Sequence, residues 1–180
     1  MPECNTKRRA DRLLRAKDYA KAALLYKQLA RQGDPSANSA LGYLHEFGKG
    51  VPLDLSKAER LYREALESDF ATAGLYLSAL LRRAGREKEA FELVEGLAHK
   101  GNLSLISELG SYWDRGIGCE KNSDIAKHYY EQAAENGSLF AKRWFQAKRI
   151  EAHASYMDIF SGFLLVLYYS LVMRLWGDRT

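Results

Sequence analysis

The chain contains few prolines and few cysteines, and both shortages narrow what it can be. Its prolines stand at positions 2, 35 and 52, so long stretches rich in Ala, Leu, Glu, Lys and Arg carry no helix breaker. Cys4 and Cys119 are too few and too far apart in sequence for a disulfide framework or a zinc site, and both fit a reducing compartment. The sequence therefore predicts an all-α protein.

Catalytic motifs are also missing. The histidines are scattered, none forms an H-E-x-x-H pair, and no serine or cysteine lies in a recognisable nucleophile motif. We interpret the histidines as packing or surface residues, at positions 45, 99, 128 and 153. The sequence predicts a protein that is not an enzyme and that binds no cofactor or metal.

Positive charge is concentrated at one end of the chain. The net charge is +4, but the first 32 residues hold nine Lys or Arg against three acidic residues. No aromatic platform or zinc-finger spacing accompanies this basic stretch, so we expect a solvated helix face and no nucleic-acid binding. The first residues contain no apolar stretch of signal-peptide length, which predicts that this part of the protein stays in the cytosol.

The sequence repeats itself after 68 residues without a gap. The stretch "SALGYLHEFGKGVPLDLSKAERLYREALESD" aligns with "SELGSYWDRGIGCEKNSDIAKHYYEQAAENG". The two copies share a Leu-Gly step, a Gly-x-Gly turn and spaced Ala and Tyr residues: Leu41 and Gly42 with Leu109 and Gly110, Gly48 and Gly50 with Gly116 and Gly118, and Ala58, Tyr62 and Ala65 with Ala126, Tyr130 and Ala133.

Two further copies are less complete. Residues 70–101 lack four residues at the glycine turn and place Leu77 and Ser78 at the Leu-Gly position. A partial copy at the start of the chain supplies Ala22, Tyr26, Ala30 and Gly33. The copies end at residues 33, 69, 101 and 137, with spacings of 36, 32 and 36. A period in the thirties is typical of a helical solenoid.

Each copy has the pattern of a helix hairpin. In the first full copy Ala37, Leu41 and Leu44 recur at helical spacing, and the following helix carries its own apolar stripe. Gly42 and Ala58 lack bulk, which predicts a close approach of the two helices. One hairpin cannot bury both stripes, so neighbouring units must stack to exclude water.

The Gly-x-Gly turn is predicted to be structural. Gly48 and Gly50 follow a helix, where glycine readily adopts positive φ, and Asp54 or Ser56 can cap the next helix. A phosphate loop places its glycines immediately before a helix, whereas Val51 and the following proline intervene here.

These residues carry a family resemblance. The order Ala37, Leu41-Gly42, Gly48-x-Gly50-Val51-Pro52, Asp54, Lys57-Ala58, Tyr62, Ala65 resembles the Sel1-like repeat, a longer-looped relative of the tetratricopeptide repeat. The resemblance implies a right-handed solenoid of stacked helix hairpins over residues 1–153, with units 1–33, 34–69, 70–101 and 102–137 and a capping helix at 138–153. It also implies a non-catalytic scaffold or adaptor, in bacteria often serving envelope, exopolysaccharide or signalling processes.

The resemblance further implies that the first helices of the units line a concave groove that binds a partner peptide or helix. Tyr43 and Phe47 offer an apolar anchor there, and Arg82 with Arg83 can pair an acidic segment of a partner. The alternative is that these are ordinary solvated positions. The predicted face comprises Ser36, Ser39, Tyr43, Glu46, Phe47, Thr72, Leu75, Arg82, Arg83, Ser107, Ser111, Asp114 and Arg115.

The composition changes after the last unit. The stretch "IFSGFLLVLYYSLVM", residues 159–173, has no charge, and residues 156–176 would form a helix of about 31 Å, close to the roughly 30 Å of a bilayer's hydrocarbon core. A transmembrane helix is one interpretation, with membrane-facing side chains from Ile159, Phe160, Phe163, Leu164, Leu165, Val166, Leu167, Tyr168, Tyr169, Leu171, Val172 and Met173. The other is a helix that caps the solenoid or forms a homodimer.

Positive residues set the predicted orientation. Lys142, Arg143, Lys148 and Arg149 precede the apolar segment, while only Arg174 and Arg179 follow it. Because positive residues favour the cytosolic side, the membrane interpretation predicts a tail-anchored protein with residues 1–155 in the cytosol and a short tail, 177–180, on the far side. The alternative is a soluble cytoplasmic adaptor.

Overall fold

A computed structural model describes residues 2–68, 70–148 and 164, and every regular element within those ranges is a helix. The prediction of an all-α protein is thereby confirmed. The helices are α1 (Pro2–Arg15), α2 (Tyr19–Arg31), α3 (Pro35–Glu46), α4 (Leu55–Glu67), α5 (Ala73–Arg83), α6 (Glu87–Ala98), α7 (Leu103–Arg115) and α8 (Ser123–Glu135). Residues 139–148 are also helical.

The helices pair into successive hairpins that stack on one another. We call α1 and α2 unit one, α3 and α4 unit two, α5 and α6 unit three, and α7 and α8 unit four. Each hairpin packs against the next, and α5 additionally contacts both α3 and α7. The first helices of units two to four therefore lie side by side. We call their shared surface the inner face.

The starts of α3, α4, α7 and α8 are fixed by side chains that the sequence places at the N-cap positions. Asp34 accepts a hydrogen bond from the backbone N of Ser36 at 2.9 Å, and Asp54 accepts one from Lys57 N at 2.9 Å. Asn102 and Asn122 do the same for the helices of unit four. Of the two N-cap candidates in unit two, Asp54 is the one used. These caps satisfy backbone N–H groups that have no partner within the helix.

The repeat pattern continues beyond unit four. Ala37 and Ala73 are fully buried at equivalent positions of α3 and α5, and Ala141 is fully buried at the next such position after unit four. Trp144 and Phe145 pack against the same core as units three and four. Within its described part, 139–148, the segment predicted as a capping helix thus packs like the first helix of a further unit.

The apolar C-terminal stretch lies outside the described residues, apart from Leu164, which is helical and half exposed. Over the ranges that the structure describes, no helix combines the length and the apolar character needed to cross a bilayer.

Candidate partner-binding face

A side chain of α4 lies directly on Gly42 of α3. A Cβ atom added there would lie 2.7 Å from Cε1 of Tyr62, because the fully buried Tyr62 ring rests directly on the glycine. Unit four repeats the arrangement with Gly110 and Tyr130, at 3.1 Å. The sequence predicted that Gly42 and Ala58 let the two helices approach closely; what lies on Gly42 is the tyrosine ring of the second helix, so the glycine makes room for a side chain.

The long turn of unit two, residues 48–53, packs on unit one. Gly48 and Gly50 have φ values of 60° and 67°, as predicted for a turn built on glycine. A Cβ added at Gly50 would lie 2.5 Å from the backbone N of Ala20, in the first turn of α2. Inside the turn His45 Nδ1 lies 3.0 Å from the carbonyl oxygen of Pro52. This histidine is a packing residue, since only 4% of its surface is exposed.

An aromatic and cationic cluster lies where α3 meets this turn. The Tyr43 and Phe47 rings are 4.9 Å apart between centroids, and Lys49 Nζ lies 4.5 Å and 5.1 Å from the two centroids. Lys49 also donates to the Tyr43 hydroxyl, which raises the pKa of the lysine. The Arg83 guanidinium from unit three covers Phe47 at 5.2 Å. Phe47 nevertheless remains 44% exposed, so it offers apolar surface on the inner face.

The two arginines of α5 already have acidic partners within the chain. Arg83 pairs with Glu46 of unit two, and Arg82 Nη1 lies 3.4 Å from Oε1 of Glu108 in unit four. These ion pairs join unit three to the units on both sides. The sequence predicted that Arg82 and Arg83 can pair an acidic segment of a partner. The structure adds that such a segment would have to compete with the carboxylates of Glu108 and Glu46.

Several predicted groove residues do not face solvent. Ser39 and Ser107 are buried, with exposures of 3% and 5%, and the Ser107 hydroxyl lies 2.8 Å from that of Ser138. Asp114 accepts a hydrogen bond from Trp144 Nε1 at 3.1 Å, so its carboxylate is used in packing. Arg115 is exposed and Ser111 is half-buried on the same helix. The structure places all of them on the first helices but divides them between core and surface.

Glu46 has a structural role as well. Its side chain is 3% exposed, and its Oε2 accepts a hydrogen bond of 2.6 Å from the Tyr62 hydroxyl. Burial raises the pKa of Tyr62, so the hydroxyl keeps its proton for this bond. Unit one contains a similar pair, with the Tyr26 hydroxyl 2.7 Å from Asp11. A tyrosine on the second helix and a carboxylate on the first thus tie the two helices together.

The inner face also includes a residue that the sequence did not single out. Tyr76 of α5 is 43% exposed, and its ring stacks on Tyr62 with centroids 5.7 Å apart and an angle of 14° between the planes. Its repeat position is occupied by Ala40 in unit two and by Glu108 in unit four. The sequence does contain a sign of this residue, because the three units carry different residue types at this aligned position.

The second helices of units two and three are joined by charges. Arg63 Nη2 lies 2.7 Å from oxygens of both Glu59 and Glu89, and Arg86 lies 2.7 Å from both carboxylates. Hydrogen bonds from Arg86 and Arg63 hold the pKa of the Glu59 carboxyl below its usual range. These long side chains hold together helices that do not pack as closely as α3 and α5 do. The inner side of the array is consequently the side of the first helices.

Comparison with known proteins identifies the repeat. Three stretches of the chain, residues 14–34, 35–70 and 106–138, match the Sel1 repeat. An uncharacterized protein of Neisseria meningitidis is 27% identical over 69% of this chain, and the ERAD-associated E3 ubiquitin-protein ligase component HRD3A of Arabidopsis thaliana is 44% identical over 31% of it. The chain spans 34% of the Neisseria protein and 8% of HRD3A.

Solved structures agree on the architecture. A Sel1 repeat protein from Oxalobacter formigenes superposes with a TM-score of 0.57 at 28% identity, covering 68% of this chain and 52% of that protein. The protective antigen c5321 of uropathogenic Escherichia coli, which displays an SLR fold, superposes with a TM-score of 0.63 at 26% identity, covering 74% of this chain and 30% of the antigen. The fold is that of a Sel1-like solenoid.

Proposed function

Because the chain belongs to the Sel1 repeat family, we propose that it is a non-catalytic scaffold that binds protein partners on the inner face of its solenoid. Stacked helix hairpins present long concave surfaces, and such surfaces suit an extended or helical segment of another protein. HRD3A, which is similar to part of this repeat array, is by name a component of an E3 ubiquitin-protein ligase. That description supports a role in assembling a complex.

The exposed aromatic side chains of the inner face carry the proposal. Phe47 and Tyr76 are 44% and 43% exposed, although each is anchored by a neighbouring ring. Aromatic residues held in place in this way lose little conformational freedom on binding and are frequent hot spots of interfaces. Tyr43 extends the apolar surface next to Phe47. A partner segment with apolar anchors spaced along one side fits this arrangement.

The two arginines of α5 on the inner face are paired with carboxylates, so they restrict which partners fit more than they attract a partner of one charge. Arg82 and Arg83 are paired with Glu108 and Glu46, and the Arg83 guanidinium lies over Phe47. A purely acidic partner would have to displace these two carboxylates, whereas a partner that carries both signs of charge need not. We therefore propose a mixed-charge segment with apolar anchors as the ligand of this face.

The test is affinity capture with inner-face variants. Phe47→Ser and Tyr76→Ser each remove an exposed ring, and Leu24→Ser is the matched control, because Leu24 is 65% exposed on a second helix, away from the inner face. We expect the proteins captured by the wild-type chain to be reduced at least about tenfold by the first two changes, as hot-spot losses of about 2 kcal/mol imply, and to be unchanged by the third. Equal capture of partner proteins by all variants would show that the inner face does not bind them.

We also propose that residues 156–176 tether the solenoid to a membrane, with residues 1–155 in the cytosol. The support is the sequence itself: an uncharged stretch at residues 159–173, positive residues before it, and a length of about one bilayer as a helix. The alternative is that the same stretch caps the solenoid or mediates homodimer formation in a soluble cytoplasmic adaptor.

Fractionation separates these two possibilities. The tethered protein should sediment with membranes in high salt and at alkaline pH and enter solution only with detergent. In sealed vesicles of known sidedness, protease added on the non-cytosolic side should spare the repeats. A monodisperse soluble protein obtained without detergent would instead establish the capping or dimeric form.

A further inference from the structure

Each long turn of the solenoid covers the start of a helix in the preceding unit. Gly50 of unit two lies against Tyr19 and Ala20, the first residues of α2. Gly118 of unit four lies in the same way against the start of α6, where an added Cβ would meet the Glu87 backbone and would lie 2.9 Å from Cα of Lys88. The two contacts are equivalent in the 68-residue repeat.

Unit three cannot make this contact. At the positions that align with residues 48–53 of unit two it has only Ala84 and Gly85, so its turn is four residues shorter. A Cβ added at Gly85 would meet nothing within 4 Å, in contrast to Gly50. The start of α4, at Leu55 and Ser56, is the surface that a longer turn in unit three would have covered.

A cavity of about 310 Å³ occupies that place. One wall is the first turn of α4, with Leu55 and Ser56, and the other is the end of α5, with Leu80, Arg83 and Ala84. Leu55 is 51% exposed, as expected for an apolar residue whose covering turn is missing. The volume falls at the lower end of that of ligand-binding pockets, about 300–1,000 Å³, and suits a few residues of peptide.

The cavity adjoins the inner face. Arg83, whose guanidinium covers Phe47, lines it, and Arg83 also lines a second depression next to it together with Ala79 and Arg82. A partner segment that lies on Phe47 and Tyr76 can therefore extend into the cavity around Arg83.

We propose that this cavity binds a glycine-containing turn of a protein partner, which takes the place of the turn that unit three lacks. The inference rests on the proposed scaffold function and locates one of its binding sites. The chain itself shows twice which backbone fits such a site, since a Gly-x-Gly turn packs on the equivalent helix starts of units one and three.

The charged side chains that line the cavity already have partners within the chain. Glu46 pairs with Arg83, and Glu59 pairs with Arg63 and Arg86. The backbone therefore selects the occupant, and a Gly-Lys-Gly turn, as in residues 48–50 of this chain, has the backbone that packs on the equivalent helix start of unit one.

Peptide titration monitored by amide chemical shifts tests the site. The probe is a synthetic peptide of residues 45–55, HEFGKGVPLDL, added to the isotope-labelled full chain, with a control peptide in which both glycines are alanine. We expect shift changes that cluster at Leu55, Ser56, Arg83 and Ala84, and binding at least about tenfold weaker for the control peptide. Absence of clustered shifts at millimolar peptide would overturn the proposal.

Two variants show whether the cavity itself is the site. In the first, Ala84 and Gly85 are replaced by the six residues 48–53, so that the chain supplies its own covering turn. In the second, Ser56→Trp fills the cavity from an exposed position, and Ser68→Trp at the exposed far end of α4 is its control. We expect both cavity variants to lose the peptide and Ser68→Trp to keep it. If the Ser56→Trp variant bound the peptide as well as the wild-type chain does, the cavity would not be the binding site.

The experiments test the scaffold function and the cavity site independently. If Phe47→Ser and Tyr76→Ser abolish partner capture while the peptide shows no clustered shifts, the scaffold function stands and the cavity site is wrong. If the peptide binds as expected and partner capture is unaffected by both inner-face variants, the cavity site stands and the inner-face assignment is wrong.

Discussion

Unit two and unit three show two ways of building the same hairpin. In unit two the ring of Tyr62 rests on Gly42, and a long turn covers the unit before it. In unit three the equivalent positions hold Ser78 and Val94, both buried, and the turn is four residues shorter. A smaller side chain on the second helix leaves space for a larger one on the first, so the pair keeps the close helix contact.

In units two and four the long turn accompanies a tyrosine on the second helix, whereas unit one has Tyr26 at this position with only residues 16–18 between its helices. The Tyr62 hydroxyl bonds to Glu46, the last residue of α3 before the turn, and so fixes the helix end from which the turn leaves. Unit four has both features, with Tyr130 on Gly110 and a long turn after α7. Unit three has a valine, no hydroxyl at this place, and an arginine, Arg82, where unit two has Glu46. Losing the turn thus leaves a cavity beside a unit that is otherwise well packed.

Adding a methyl group to a turn glycine is the change expected to have the largest effect. Gly118→Ala places a Cβ against the backbone of Glu87 and Lys88, in a conformation with φ of 67° that L-residues rarely adopt. We expect a loss of about 2–5 kcal/mol in the free energy of unfolding, measured by guanidinium denaturation monitored by circular dichroism.

The control for this prediction is Gly85→Ala in the short turn. Its φ is 74°, but no atom lies within 4 Å of the added Cβ, so only the backbone strain of about 1–2 kcal/mol remains. Equal losses in the two variants would mean that the long turn does not press on unit three as described.

Removing the buried carboxylate of unit two should have the next largest effect. Glu46→Ala leaves the Tyr62 hydroxyl without its acceptor inside the core, which costs about 1–3 kcal/mol. Glu46→Gln keeps an oxygen that can accept from the tyrosine, so we expect it to retain most of the stability. The same denaturation experiment measures both, and similar losses for the two variants would contradict the role assigned to this hydrogen bond.

Converting the unit-two pair into that of unit three tests whether the two positions act together. Gly42→Ser should cost about 1–3 kcal/mol, because the added atoms overlap the Tyr62 ring. With Tyr62→Val in the same chain the overlap is absent, so the double variant should lose clearly less than the two single losses added together. Additive losses in the double-mutant cycle would show that the helix contact does not depend on this pair.

The charged cluster on the second helices should give the smallest effect. Glu59→Gln removes a carboxylate whose pKa Arg86 and Arg63 hold below its ordinary value of 4.5, so its stabilisation is present above about pH 4.5 and lost as the pH falls through the lowered value. We expect a loss below about 1 kcal/mol at pH 7 that shrinks at acidic pH and in high salt. Denaturation at several pH values measures it, and a loss independent of pH would contradict the ion pairing.

Much of the fold follows from patterns within the sequence. The 68-residue self-similarity and the glycines of the turn predicted the hairpins and the positive φ values that the structure shows. These features are local or repeat at a fixed interval, so a single sequence displays them directly.

The surface of the inner face was harder to predict because it depends on contacts between units. Glu46 pairs with Arg83 of the next unit, and the buried Ser107 contacts Ser138 beyond unit four. Such pairs lie about one repeat apart, a separation at which the sequence offers many possible partners. The four residues missing from unit three were visible, but the cavity appears only when the start of α4 is placed beside them.

Site-specific photo-crosslinking tests the proposed inner-face function most directly. A photoreactive phenylalanine derivative is placed at Phe47, Tyr76 or Leu24, one position at a time, in the full chain inside cells. We predict that the first two positions, which are about equally exposed on the inner face, trap the same partner protein, and that Leu24 on the second helix of unit one does not. Crosslinks of equal yield at Leu24, or none at Phe47 and Tyr76, would contradict a solenoid that binds its partners through the inner face.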